Sequence, residues 1–362
     1  MNVIIAGGGT GGHLFPGIAI AEEFLKRDRA HNILFIGTER GLEKRILGNL
    51  GLPLHTLTVE GIKGKGVYKG LSALLKIPGS LIESCKMIRE FGPDIVIGVG
   101  GYASGPTVMA AHFMGIKTAI AEQNALPGVT NRILGNFVDG IFLTFPETKK
   151  CFPEKKTIVS GNPIRSGFFT ETHIPKNAGD KFTLLVFGGS QGAHSINMAI
   201  LDALPHLSEI KAALKIIHQT GDKDLKTVSE FYRSCGMNAD VHPFIMDIAK
   251  TYRSSNLLIC RAGATSIAEI TASGKAAILI PFPYAVNDHQ TKNAEALLHA
   301  GACVMIHETD LSGNKLAEII KDLYHNPERI KEIETRSANL GNPRAAAHIV
   351  DACMEIIASK KV

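Results

Sequence analysis

The chain has 362 residues, more than one hydrophobic core usually serves, and this length predicts two domains. Its 45% hydrophobic and 20% charged residues exclude a disordered or low-complexity chain, and a net charge of +5 is too mild to imply nucleic acid as a partner. Cysteines 85, 151, 235, 260, 303 and 353 lie far apart with no C-x-x-C, which excludes a disulfide framework or zinc site and reads as reduced thiols.

No basic leader precedes Asn2-Val3-Ile4-Ile5-Ala6. No apolar run reaches the roughly 20 residues that span a bilayer. A cytosolic protein able to touch a membrane surface is therefore expected.

In chain order, Val3–Ala6 reads as a strand, Gly7–His13 as a glycine loop, and the apolar-periodic stretch after it as a helix. Strands follow at Ile33–Ile36, Ile95–Val99, Thr118–Ala121 and Gly140–Leu143. Ser160–Arg165 reads as a linker. Residues 184–201 then repeat the opening: strand Leu184–Phe187, loop Gly188–His194, helix to Leu201. Gly7 to Gly188 and His13 to His194 share an offset of 181, half the chain length, which predicts a duplicated architecture. Further strands are expected at Lys215–His218, Leu257–Cys260 and Ala277–Ile280, and a last helix over Arg344–Ile357 after Pro343. Strands alternating with helices predict an α/β protein with two Rossmann-like parallel-sheet domains facing across a cleft.

Three loops are fitted to phosphate. Gly7-x-Gly9-x-x-Gly12 satisfies a dinucleotide fingerprint, and Glu39 follows the second strand where a ribose-binding acid sits in such folds. The alternative is a tight strand-to-helix turn with no ligand. The second loop, Gly188–Ala193, offers the Ser190 hydroxyl. The third, Arg261–Ser266, opens a helix whose Glu269 either takes two ribose hydroxyls or complements the helix dipole. Two such loops and an acid in one half point to a nucleotide diphosphate there.

With these loops stand GGGTGGHLFPGIAIA (7–21), GVGGYASGP (98–106), AEQNALPGVTNRIL (121–134), SGNPIR (160–165), FGGSQGA (187–193), HPFIMDIA (242–249), CRAGATSIAEI (260–270) and IPFPYAVNDHQTKNA (280–294). In this order and spacing the chain resembles, nearly end to end, the family 28 glycosyltransferases of the GT-B class. The resemblance implies inverting transfer of GlcNAc from UDP-GlcNAc to muramyl-pentapeptide pyrophosphoryl-undecaprenol, forming the β-1,4 link of lipid II in peptidoglycan synthesis. It places the acceptor side in residues 1–162 and the donor side in 163–343, with helix 344–358 returning to the first domain.

On that reading Phe244 packs near the uracil, the Ile245 backbone bonds its edge, and Glu269 takes the ribose. Ser190 with Gly263, Ala264, Thr265 and Ser266 holds the diphosphate, and Arg165 lies by the nucleotide. Gln290 reads GlcNAc hydroxyls, while Asn124 and Thr10, Gly11 and Gly12 close over the sugar. Asn197 and Asn131 match family positions, and Asn131 is assigned with Tyr102 to the acceptor side. Where some members carry two adjacent glutamines this chain has His289-Gln290, which leaves the role of His289 open.

The chemistry needs a base for the acceptor hydroxyl. His13 is the candidate, since an imidazole ordinarily titrates near neutrality, and Glu122 is its rival. An Asp-x-Asp motif and His/Cys spacing of the metal-binding kind are both read as absent and the class manages without a metal, so no essential cofactor is expected. Residues 62–89 carry Lys63, Lys65, Lys69, Lys76, Lys86 and Arg89 against Glu83 alone, a local charge of +5 interleaved with apolar side chains. They are the expected contact with anionic inner-leaflet lipid, at the cytoplasmic face of the bacterial membrane. Cell-wall synthesis proteins are the further partners the resemblance admits. Other GT-B transferases acting on different lipids, UDP-GlcNAc 2-epimerases, NAD-dependent oxidoreductases and non-catalytic nucleotide binders are the rival readings.

Overall fold

The computed structural model of the chain describes residues 1–38, 41–57, 67–169, 181–189, 191–285 and 288–359, with the backbone alone at 41–42 and 67–77. Two compact units result, Met1–Arg165 with Pro343–Val362, and Ser166–Asn342.

In the first unit, β1 (Asn2–Gly7), α1 (Gly11–Arg27), β2 (Asn32–Gly37), α2 (Gly41–Asn49), β3 (Leu54–Thr56) and α3 (Val67–Phe91) form one half. The other half is β4 (Ile95–Gly100), α4 (Ser104–Phe113), β5 (Lys117–Glu122), α5 (Val129–Leu134), β6 (Gly140–Leu143) and β7 (Thr157–Val159). The sheet is parallel in the order β3-β2-β1-β4-β5-β6-β7. Val3, Ile4, Ile5 and Ala6 of β1 and Ile95, Val96 and Ile97 of β4 are fully buried, as strands with helices on both faces must be.

The second unit repeats the plan with β8 (Phe182–Phe187), α6 (His194–Ala203), β9 (Leu214–Gln219), α7 (Leu225–Ser234), β10 (Ala239–His242) and α8 (Ile248–Ser254). It continues with β11 (Leu257–Cys260), α9 (Ala264–Ala272), β12 (Ala277–Leu279), α10 (His289–His299), β13 (Val304–Met305), α11 (Gly313–His325) and α12 (Pro327–Asn339). Its order is β10-β9-β8-β11-β12-β13, again parallel. Both sheets reverse direction of winding between two central strands, β1 and β4 in one and β8 and β11 in the other. The crevice at the carboxyl ends of such a strand pair is where ligands of open α/β sheets bind. The loops 7–12 and 101–103 flank the first crevice, and 188–193 with 261–263 flank the second.

The last helix, α13 (Ala345–Ala358), belongs to the first unit. It packs on α1, β5 and β6 with Ile349, Val350 and Cys353 buried, and Arg27 of α1 donates to Asp351 at 2.7 Å and to Ala347 O at 2.9 Å. Burial of the apolar face does most of this anchoring, because a surface ion pair contributes only about 0–1 kcal/mol. Cys260, Cys303 and Cys353 are buried, and burial pushes the Cys303 thiol up to about 12 and the other two higher still, so these three are core side chains.

Candidate active site

The first glycine loop is closed by the protein's own carboxylate. Glu43, buried in the first turn of α2, accepts from Gly9 N, from Thr38 N at 2.8 Å and from Thr38 Oγ1 at 3.3 Å. A side chain at Gly8 would collide with that carboxylate. An internal carboxylate thus takes the Gly9 N–H and the space over Gly8, which makes this stretch of Gly7-x-Gly9-x-x-Gly12 a tight turn held from within. Glu39, its proposed ribose acid, lies outside the described residues.

His13 is the third residue of α1. Its ring lies on the backbone of Gly100 at the end of β4, where φ is +96°: a Cβ there would stand 2.6 Å from His13 Nδ1. A register shift between Ala6 and Gly7 pairs Gly7 with Gly100 at this point. His13 Nδ1 lies 3.4 Å from Gln123 Oε1. Thr10 and Gly12 are exposed beside it and Gly11 is buried. Tyr102, just past β4, is 41% exposed, and the Arg165 guanidinium stacks over the Phe15 ring at 4.1 Å.

Glu122, at the end of β5, is only 3% exposed and accepts four hydrogen bonds. Asn124 N and Nδ2 donate to Oε1 at 3.0 and 3.2 Å, and Gly128 N and Asn131 Nδ2 donate to Oε2 at 3.0 and 2.9 Å. These four donors all come from residues 124–131, so the Glu122 carboxylate braces the loop that carries Asn124. Asn131 is 4% exposed and donates through Nδ2 to Glu122 and to Ala121 O.

In the second unit the loop after β8 is pinned at Gly192, whose φ is +76° and whose Cβ position is filled by Thr220 O. Ser190 itself lies outside the described residues. Gln219, the last residue of β9, donates to Gly189 O at 2.8 Å and accepts from Ile245 N at 2.8 Å. It thus ties the loop after β8 to the turn carrying half-buried Phe244 and Ile245.

The loop after β11 leads through Gly263 into α9, with Ala264 and Thr265 buried and Ser266 half-buried. Helix starts of this kind present N–H groups that the helix does not use. Glu269 is buried at the sixth position of α9, beyond the first turn, where the dipole effect fades. Gln290 Oε1 accepts from Phe282 N at 3.1 Å. His289 starts α10 directly after Asp288, the one described non-glycine residue with positive φ, at 54°.

Several supports were not read from the sequence. Arg261 pairs with Glu308, donates to Ser195 Oγ at 2.8 Å and to Ile280 O and Pro281 O at 3.2 and 3.1 Å, fixing the turn before Gln290. Gln123, Gln219 and Glu43 were likewise missed. Asn197 is fully buried and bonds Thr220 O, Asp224 and His218, which makes it a core brace of the loop after β8. The expectation that no Asp-x-Asp motif is present is corrected by Asp222-Lys223-Asp224, which has that spacing, and Asp224 is engaged by His194 Nδ1 at 3.0 Å and by Asn197 at 2.8 Å. Among the described residues no group of three or more His, Cys, Asp or Glu is gathered in a metal-holding arrangement.

Comparison with known proteins follows this division. The glycosyltransferase family 28 N-terminal domain matches residues 3–143 and the family 28 C-terminal domain matches 183–349. The chain is 62% identical, over 99% of both chains, to the UDP-N-acetylglucosamine--N-acetylmuramyl-(pentapeptide) pyrophosphoryl-undecaprenol N-acetylglucosamine transferase of Syntrophus aciditrophicus. It is 48% identical to the protein of the same name from Myxococcus xanthus, over 99% of this chain and 93% of that one. Among solved structures, Acinetobacter baumannii MurG superposes with a TM-score of 0.74 at 30% identity, over 98% of this chain and 99% of that one. The UDP-GlcNAc 2-epimerase of Neisseria meningitidis gives 0.69 at 13% identity, over 98% of this chain and 100% of that one, a likeness of fold alone. Matched in both halves and along its whole length, the chain belongs to glycosyltransferase family 28.

Proposed function

We propose that the chain transfers GlcNAc from UDP-GlcNAc to muramyl-pentapeptide pyrophosphoryl-undecaprenol, inverting the anomeric carbon to form a β-1,4 linkage. The observation that carries this reading is 62% identity over 99% of both chains to a transferase of that name. The site supports it. His13 Nε2 takes the proton of the acceptor hydroxyl as its oxygen attacks the anomeric carbon. The bond from that carbon to the diphosphate breaks, and UDP leaves with the charge. Phe244 and Ile245 take the uracil, Glu269 the ribose, Ser190 and residues 263–266 the diphosphate, and Gln290 the sugar, with Arg165 by the nucleotide. Asn124 and Thr10–Gly12 contact the sugar, and Tyr102 lines the acceptor side.

No metal is essential on this reading, because helix starts and polar donors meet the departing diphosphate. The test is UDP release by the full chain, with and without a short-chain analogue of the acceptor. Acceptor-dependent release that persists in EDTA and gives a β-linked disaccharide is expected. Release without acceptor favours sugar-nucleotide isomerisation or hydrolysis instead, and activity lost in EDTA and restored only by a divalent ion overturns the metal-free mechanism.

The membrane contact belongs to the first unit. No helix of the described residues is long and apolar enough to cross a bilayer. The second half of α3 buries Ser80, Ser84, Met87 and Ile88 and presents Ile82, 72% exposed, with Lys86 and Arg89. Exposed Phe113 ends α4, Val129 and Ile133 stand on α5, and Phe137 follows it. Lys63 and Lys65 lie outside the described residues, as do the side chains of Lys69 and Lys76. Each basic residue adds about 1 kcal/mol at an anionic surface. Replacing Lys65, Lys69 and Lys76 by glutamine is expected to weaken binding to anionic vesicles at least tenfold, with neutral vesicles bound weakly throughout. Unchanged binding to anionic vesicles refutes the patch.

A further inference from the structure

We propose that Gln123 is a positioning residue that holds His13 in the tautomer protonated on Nδ1, so that Nε2 carries the lone pair. The inference rests on the reading of His13 as the base. Gln123 follows β5 directly and is 3% exposed, so its amide has few partners to choose among. Its Nε2 donates to Ala121 O at 3.3 Å. The reversed amide would set its oxygen against that carbonyl, acceptor against acceptor, so the backbone of β5 selects the orientation. Oε1 is thereby turned to His13 Nδ1, 3.4 Å away.

An amide oxygen only accepts, so this pair forms a hydrogen bond only when Nδ1 bears the proton. A neutral imidazole with its proton on Nδ1 is basic at Nε2 alone. Gly100 completes the arrangement from the ring's face. Nδ1 and Cε1 would lie 2.6 and 2.8 Å from a Cβ there, and only a glycine at φ +96° leaves the ring that seat. Neutral imidazole in water favours the opposite tautomer, and holding the wrong one is known to disable a catalytic histidine by several orders of magnitude. A neutral partner differs from the carboxylate of a catalytic triad, since it orients the ring without adding charge beside it.

The test uses the full chain labelled with ¹⁵N-histidine, the His13 signals being assigned by their loss in His13→Gln. The wild type is expected to show Nδ1 protonated and Nε2 bare in the neutral state. Gln123→Leu removes the acceptor, and its His13 shifts toward the Nε2-protonated form while kcat falls about 10²-fold with KM for UDP-GlcNAc held within about twofold. Gln123→Glu, nearly isosteric, keeps an acceptor and guards against misfolding of the leucine variant. It retains the Nδ1–H tautomer and moves the acid limb of the kcat/KM profile up by about one pH unit, because a carboxylate stabilises the imidazolium. An Nε2-protonated His13 in the wild type, or a Gln123→Leu protein with tautomer and kcat unchanged, overturns the proposal. The spectra read the tautomer without turnover, so they stand apart from the base assignment, which fails separately if His13→Gln keeps its full rate.

Discussion

Replacing His13 by alanine is expected to lower kcat by about 10²- to 10⁴-fold while leaving UDP-GlcNAc affinity within about threefold, the pattern of a general base removed from the transition state. A sugar hydroxyl is far too weak an acid to lose its proton to water at neutral pH on the reaction's timescale. The side chain that accepts the proton must therefore have a lone pair available beside the first glycine loop. His13 meets that condition: its ring is seated on Gly100 and turned by Gln123 through Nδ1.

At Glu122, by contrast, four N–H donors converge on the carboxylate, and the expected role is that of a loop brace. Glu122→Gln sets an amide N–H₂ against some of those donors. The cost of about 1–3 kcal/mol for each buried group left unpaired should appear as a lower melting temperature and as a rise in KM along with a fall in kcat. Single-turnover rates, nucleotide affinity and melting curves on the two variants separate the roles. A His13→Ala enzyme at near-normal kcat, beside a Glu122→Gln enzyme that melts normally but is inactive, would return the base to Glu122.

The parts of the fold legible in the sequence were those with strong local signals. The strands read at Gly140–Leu143 and Leu257–Cys260 appear with those bounds, and the central ones at Val3–Ala6 and Leu184–Phe187 differ only at their ends, because each is a buried, almost wholly apolar run. The strands that escaped, β3, β7, β10 and β13, all lie at or near a sheet edge. Each has two to four residues, none of them fully buried, so neither an apolar run nor an alternation marks them.

The site divides the same way. Residue types with distinctive chemistry on glycine loops, such as His13 and Glu269, are visible in a motif. A role set by tertiary contact is not. Glu43 is thirty-four positions from Gly9, and Gln219 meets Gly189 and Ile245 only because β8 and β9 pair and the turn after β10 folds back. The repeat carried its own warning. His13 and His194 share the offset of 181, yet His13 is the third residue of α1 while His194 opens α6, is exposed and pairs with Asp224, so the duplicated architecture does not duplicate the surroundings of the histidine.

The other large effect is on stability against acid. Within the second unit His218 is fully buried on β9. Its Nδ1 lies 2.9 Å from Tyr232 Oη and its Nε2 3.0 Å from Asn197 Oδ1. Burial drives its pKa down from 6.5 to about 3, only partly opposed by the charge of Asp224, and burial likewise pushes the Tyr232 phenol far above its usual range. The folded chain therefore keeps this imidazole neutral where the unfolded chain protonates it. Between pH 6.5 and about 3 the unfolded state binds the extra proton. Stability thus rises with pH in that window and is lost as pH falls through it, by up to about 1.4 kcal/mol per unit from this one group. Urea unfolding of the full chain from pH 7.5 to 5.0 should show the midpoint of the transition that exposes β9 falling steadily below pH 6.5. His218→Gln, which cannot titrate, should start lower at pH 7.5 for the loss of its packing and bonds, and then change much less with pH. Parallel pH dependences in the two proteins would place the acid sensitivity elsewhere. A flatter line in the variant assigns it to the histidine that, through Asn197, braces the turn at Thr220 and with it the loop after β8.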